Sequence, residues 1–203
     1  YYRTPLQSVL GLEASMALGQ DVMIAHPDYS LFGMSDRAII DVADSMTAIR
    51  KLVFEEKKLT MAELLDALDS NFEGDSGEVI RQLCLKQPKY GNDDDYADDI
   101  MLDVFHEYQG YITGRKNLRG GTYHVDMLPT TCHVYFGDVM IASPNGRLAH
   151  KPVSEGISPE KGADTHGPTA VIKSCAKMDH CSTGGTLLNQ KFTPSAVAGQ
   201  EGI

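Results

Sequence analysis

No apolar stretch in the 203 residues approaches the roughly 18 that a membrane-spanning helix needs. The start, Tyr1 to Pro5, lacks the apolar core of a secretory signal. Basic residues are outnumbered: 18 Lys and Arg stand against 28 Asp and Glu, for a net charge of −10. That sign does not suit a nucleic-acid backbone or an anionic membrane, so neither is an expected partner. The four cysteines, Cys84, Cys132, Cys175 and Cys181, sit at irregular spacings and make no disulfide framework. A reducing cytoplasm fits them. The glycines form neither G-x-x-x-x-G-K-[ST] nor G-x-G-x-x-G, so no phosphate cradle is indicated. Cys175, His180 and Cys181, with or without Cys132 and His133, match no standard zinc spacing. There is no initiator methionine, and Gly199 to Ile203 read as the middle of a loop. The expectation is an internal piece of a longer chain, set against a trimmed but complete domain.

What is present is globular: 42% apolar and 23% charged residues exclude a disordered chain. Pro5 to Leu18 has helical spacing, with Gly19 as its stop. Tyr29 to Met34 reads as a buried strand, and Ser35 or Asp36 as a helix cap. Ile39, Val42, Ala43, Met46, Ile49 and Val53 form the apolar stripe of a helix over Ala38 to Phe54. Thr60-Met-Ala-Glu63 is a capping box ahead of Met61, Leu64, Leu65 and Leu68, and Gly74 ends that unit. A short helix from about Gly77 to Gln87 would bury Val79, Ile80, Leu83 and Cys84. The acidic run Asn92 to Asp99 could bind Mg²⁺ or Ca²⁺. It is better read as a helix start, with Asn92 as cap and carboxylates complementing the helix dipole.

Tyr123, Val125 and Met127 alternate with His124 and Asp126 and lead into Met127-Leu-Pro-Thr-Thr-Cys-His-Val-Tyr-Phe-Gly137. We expect this segment to be a buried strand with a polar insert, bulged or broken at Pro129. Polar side chains in a core strand need partners, supplied by neighbours or by a ligand. Strand alternation would place Cys132 on the face of Thr130, and Thr131 and His133 on the other. It would also hold Cys132 and His133 apart, against a nucleophile pair. Ser143-Pro-Asn-Gly-Arg147 is turn chemistry. Gly167-Pro-Thr169 starts a helix burying Val171, Ile172, Cys175 and Met178, and Leu187-Leu188 begins a further strand. His166 and His180 read as loop or surface residues. Helices alternating with single strands make the chain α/β with parallel strands.

Several longer stretches carry a resemblance: Leu52-Val-Phe-Glu-Glu56, Lys89-Tyr-Gly-Asn-Asp-Asp94, Ser143-Pro-Asn-Gly-Arg147, Val153-Ser-Glu-Gly-Ile-Ser-Pro159, Gly167-Pro-Thr-Ala-Val-Ile-Lys-Ser174 and Gly184-Gly-Thr-Leu-Leu-Asn-Gln-Lys-Phe192. In this order they resemble the glycyl radical enzymes, the pyruvate formate-lyase-like family. The resemblance implies part of a ten-stranded α/β barrel, about one half-barrel with outer helices. It implies a lyase in which a protein glycyl radical passes to a cysteine, whose thiyl abstracts hydrogen from a small-molecule substrate. No metal or bound organic cofactor is implied. A radical S-adenosylmethionine activating enzyme, a homodimer, an anaerobic setting and a cytoplasmic location are. The family's Gly-Cys-x-Glu and Arg-Val-x-Gly-Tyr loops are both missing from this sequence. Residues 1–203 are therefore expected to be one barrel segment between those loops, with no catalytic residue of its own and no activity alone. Leu128 and Thr130 match the family positions that face substrate, and the Thr130 hydroxyl suits a polar substrate such as a hydroxylated amino acid. Other substrates within the family (choline, a diol, glycerol, a 2-keto acid) and a non-catalytic binding module are the alternatives.

Overall fold

The computed structural model describes residues 13–21, 31–35, 38–117 and 120–192. Helix α1 (Glu13–Leu18) is the described end of the expected first helix, and Gly19 closes it at φ 61°. Pro5 and Asp36 lie outside the described residues. Strand β1 (Leu31–Ser35) pairs in parallel with β2 (Thr122–Asp126), Gly33 opposite His124 and Ser35 opposite Asp126. Parallel neighbours need a long crossover. Here it contains α2 (Ile39–Ile49), a π-helical turn (Arg50–Glu55), α3 (Met61–Asp69), α4 (Gly74–Leu85) and α5 (Asp95–Ile112). After β2 come α6 (Cys132–Val139), α7 (Pro168–Ala176) and a 3₁₀ turn at His180–Ser182.

Among the described residues two apolar cores result. One joins Ile40 and Ala43 of α2, Met101 and Phe105 of α5, Val125 and Met127 at β2, and Val171 and Cys175 of α7 around the buried Tyr90. The other gathers Leu52, Leu64, Phe72 and Cys84 with Ala142. The capping box holds as expected: Thr60 N–H donates to Glu63 at 2.8 Å and Glu63 N–H to the Thr60 hydroxyl at 3.2 Å. Pro168 opens α7, as expected of a proline at the first helical position.

The buried faces depart from the expected stripes. In α2 the exposed residues include Val42 and Met46, while Asp41, Asp44 and Thr47 are buried. The apolar stripe misplaced the face because it counted no charged residue as core. The π-helical turn adds a residue to the helical cycle and ends α2 earlier than Phe54. Arg50 and Lys51 there lie over the Tyr96 ring, 5.4 and 5.1 Å from its centroid. Gly74, expected to end the α3 unit, instead begins α4, which starts three residues before the expected Gly77, and Val79 is exposed. Met61 and Leu65 of α3 and Ile172 of α7 are exposed too. The cap of α5 is Asp94, whose carboxylate accepts from Tyr96 N–H at 3.0 Å. Asn92 instead turns away to hold a distant loop: its amide donates to Lys89 O and Ala163 O, and its Oδ1 accepts from Thr165 and His166 N–H.

The aperiodic stretch 140–167 is fixed by side chains in place of ladders. Arg147, 4% exposed, donates to the carbonyls of Ile141, Leu148 and Lys151 and to the Ser143 hydroxyl. Its Nε lies 3.9 Å from Asp41 Oδ1. Asn145, fully buried, donates to Asp41 at 3.0 Å and Glu160 at 2.6 Å, and its Oδ1 accepts from Ser143 and from Arg147 N–H. We predict that Arg147→Leu, which strands three carbonyls and the Asp41 charge, costs about 3 kcal/mol or more in a denaturant titration. A loss below about 1 kcal/mol would mean the loop is held by something else.

Candidate functional site at the carboxyl end of strand β2

Beyond Asp126 the chain leaves the strand through one bridge. Met127 N–H donates to Gly185 O at 2.9 Å, Leu187 N–H to Met127 O at 3.2 Å, and Gly184 N–H to Val125 O at 2.8 Å. The strand expected at Leu187-Leu188 is thus reduced to a single parallel bridge, Met127 with Thr186. Alternation sends Val125 and Met127 into the helix-packed core, both fully buried. Thr122, His124, Asp126 and Leu128 fall on the opposite side, where His124 Nε2 sits 3.1 Å from the Thr122 hydroxyl. Leu128, 36% exposed, lies over Gly185, where an added Cβ would come within 3.4 Å of Leu128 Cδ2. Gly156, at φ +49°, lets the 155–158 turn pass close beneath Met127 and Leu187.

The expected strand over 127–137 ends at Met127, and from Cys132 the chain is helix α6. The cause is local. Pro129 has no N–H to continue a ladder. Thr130 then folds the chain back: its hydroxyl accepts from Cys132 N–H at 3.3 Å, and its carbonyl accepts from His133 N–H. Hydroxyl residues offer the backbone this alternative to a ladder. Consequently Val134, Tyr135 and Phe136 are exposed, not buried. Gly137 does not stop a strand but sits within α6, where a side chain would run into Lys151 O and Pro152. The strand-based placement of Cys132 with Thr130, and of Thr131 and His133 on the far side, no longer applies. His133 Nδ1 lies 2.7 Å from Thr130 O and 3.9 Å from Glu155. Thr130 is exposed at the start of this turn, two residues from Leu128.

A second group of buried polar side chains went unread in the sequence. Asp41, Asp44, Lys89, Asn145 and Glu160 converge between α2 and the 140–167 stretch. Lys89 Nζ donates to Asn145 O at 3.0 Å and Cys84 O at 3.1 Å. Asp44 accepts from Tyr90 N–H at 2.9 Å, while its second oxygen is buried with no hydrogen-bond partner among the described residues. Burial pushes the Asp44 carboxyl up to about 7, with Lys89 and the Tyr90 N–H opposing and Asp41 and Asp98 adding to the rise. Glu160 rises to about 8 through burial first and then through Asp41 and Asp44. Lys89 is drawn below its ordinary value by burial, against the pull of Asp44 and Glu160. A legible signal existed: Asp41 and Asp44 share the helical face of Ile40, Thr47 and Ala48. Among the described residues, no three His, Cys, Asp or Glu side chains are grouped to hold a metal. His166 and His180 are exposed, as expected.

The raised Asp44 value has a definite sign. Its neutral form favours the folded state, so that contribution is complete below the ordinary 3.8 and is lost as pH rises toward about 7. We predict that Asp44→Asn reduces the fall in melting temperature between pH 4 and pH 7. An unchanged slope in a pH series of thermal melts would contradict it.

The model of the family described as pyruvate formate lyase-like matches residues 1–137. The model described as glycine radical matches residues 153–203, a stretch expected above to belong to the barrel. The chain is 55% identical over 199 residues to trans-4-hydroxy-L-proline dehydratase from Clostridioides difficile, covering 98% of this chain and 25% of that one. A crystal structure of hydroxyproline dehydratase from the same organism, with trans-4-hydroxy-L-proline bound, superposes with a TM-score of 0.87 at 56% identity, again over 98% of this chain and 25% of that one. A structure concerned with 1,2-propanediol dehydration in Roseburia inulinivorans gives 0.86 at 39% identity, over 98% of this chain and 26% of that one. The chain thus spans about a quarter of the length of these relatives. With its parallel strands, outer helices and both family models matched, the chain belongs to the pyruvate formate lyase-like family of glycyl radical enzymes.

Proposed function

We propose that this chain is part of a glycyl radical dehydratase that removes water from trans-4-hydroxy-L-proline to give 1-pyrroline-5-carboxylate. The likeness that supports this reading most is to the substrate-bound hydroxyproline dehydratase, which exceeds the likeness to the diol-related structure in identity. The parent would carry the radical on a glycine outside these 203 residues, and a cysteine loop would face the carboxyl end of β2. That radical would supply the hydrogen abstraction that starts the reaction. A radical S-adenosylmethionine enzyme would install it. The parent would work as a cytoplasmic homodimer.

In this reading Leu128 and Thr130 contribute to the substrate pocket. Leu128 presents an aliphatic wall braced on Gly185. Thr130 presents a hydroxyl at the point where the chain turns from strand to helix. The hydroxyl would bond a polar group of the substrate, a contact no aliphatic residue can make. The second reading, a parent acting on a small diol, is favoured by the nearly equal superposition on the 1,2-propanediol structure.

The test uses the full-length parent, activated anaerobically. Consumption of trans-4-hydroxy-L-proline is expected. Turnover of 1,2-propanediol or glycerol without it would favour the second reading. Thr130→Val is expected to lower kcat/KM at least tenfold, a loss of about 1.4 kcal/mol of transition-state stabilisation, while the glycyl radical signal in electron paramagnetic resonance persists. Unchanged kinetics would remove Thr130 from the pocket.

A further inference from the structure

We propose that Asp126 binds the ammonium group of the substrate, an assignment that rests on the amino-acid substrate proposed above. Asp126 is the last residue of β2, half-buried, on the side of the strand away from the helix-packed Val125 and Met127. Its carboxylate lies between two glycines. A side chain at Gly33 would occupy the place of Asp126 Oδ2, and one at Gly184 the place of Oδ1. Neither glycine is there for its conformation, since neither has positive φ. Both leave room for this carboxylate.

The cradle gives the carboxylate room but offers it no side-chain partner among the described residues. Gly184 N–H, the nearest donor on that side, is committed to Val125 O. Among the described residues, Asp126 has neither a hydrogen bond nor an ion pair to its side chain. A half-buried carboxylate that meets no partner among the described residues suits the binding of a cation. Its position is the crevice beyond the carboxyl ends of parallel strands, where α/β folds place ligands. Adjacent Gly185 carries Leu128 just as Gly184 carries Asp126, so charge and aliphatic wall stand side by side on one glycine pair. Trans-4-hydroxy-L-proline presents a secondary ammonium on a ring of apolar carbons, which matches that pairing. A diol carries no cation and would gain nothing from Asp126.

The test is Asp126→Asn in the activated full-length parent. The KM for trans-4-hydroxy-L-proline is expected to rise tenfold or more with the glycyl radical yield unchanged. Inhibition by L-proline should weaken to a similar extent. Inhibition by tetrahydrofuran-2-carboxylate, which has an oxygen in place of the ammonium, should not weaken. Gly184→Ala, which displaces the carboxylate, should reproduce the Asn variant in part. An active wild type with unaltered Asp126→Asn kinetics, or equal weakening of both inhibitors, overturns the assignment alone. A wild type inactive on trans-4-hydroxy-L-proline overturns the substrate reading and this assignment together.

Discussion

The interaction on which the structure most depends is the buried bonding of Asp41 to Asn145 and Ser154. Asn145 donates to the Asp41 carboxylate at 3.0 Å, and Ser154 N–H and the Arg147 side chain approach the same group. Asp41 rides on α2, which packs on β2 through the first core. The stretch from Ile141 to Ser154 has no ladder of its own, so its carbonyls are satisfied by Arg147 and its path by Asn145. Asn92 does the same for Ala163 to His166. A buried charge with this many partners costs little while intact and much when one partner is removed. The network therefore transmits the position of the helices to a loop region that otherwise has no reason to stay in one place.

That region determines the carboxyl end of β2. Val153 N–H donates to His133 O, tying the start of α6 to the loop. The backbone at Lys151 and Pro152 presses on Gly137 in α6, and Gly156 lies under Met127. The Asn189 amide N–H reaches the Ser158 hydroxyl, which draws the segment after Gly184-Gly185 into the same assembly. Strand, glycine pair and turn at Thr130 are thus held by a scaffold behind them, leaving Asp126, Leu128 and Thr130 on the open side. If these three residues line the proposed pocket, a rigid base would let them bind a ligand with little loss of freedom.

Much of this was legible where local chemistry decides. The capping box at Thr60-Glu63, the proline start of α7 and the β2 segment follow from spacing alone; a strand also stands at β1, but its Met34 is exposed where a buried strand was expected. The failures share a cause. At Met127 to Gly137 a strand pattern was read from apolar flanks, but the hydroxyls and Pro129 decide the backbone there, and they favour a turn into helix. In α2 the buried face was read from the apolar stripe alone, yet Asp41 and Asp44 are buried because loops far along the chain bring Asn145, Lys89 and Ser154 to meet them. No window of sequence contains both halves of those contacts. Asn92 was read as a cap for the same reason: its partners lie beyond residue 160. The family resemblance supplied the barrel, and the proposal of Leu128 and Thr130 as substrate-facing residues came with it rather than from periodicity.

The central claim, that this chain works within a glycyl radical enzyme, is tested most directly by the coding sequence on either side of it. The account predicts Gly-Cys-x-Glu in frame ahead of Tyr1 and Arg-Val-x-Gly-Tyr in frame after Ile203. A start codon immediately before Tyr1 and a stop immediately after Ile203 would contradict it, and would leave a binding module built on the same scaffold.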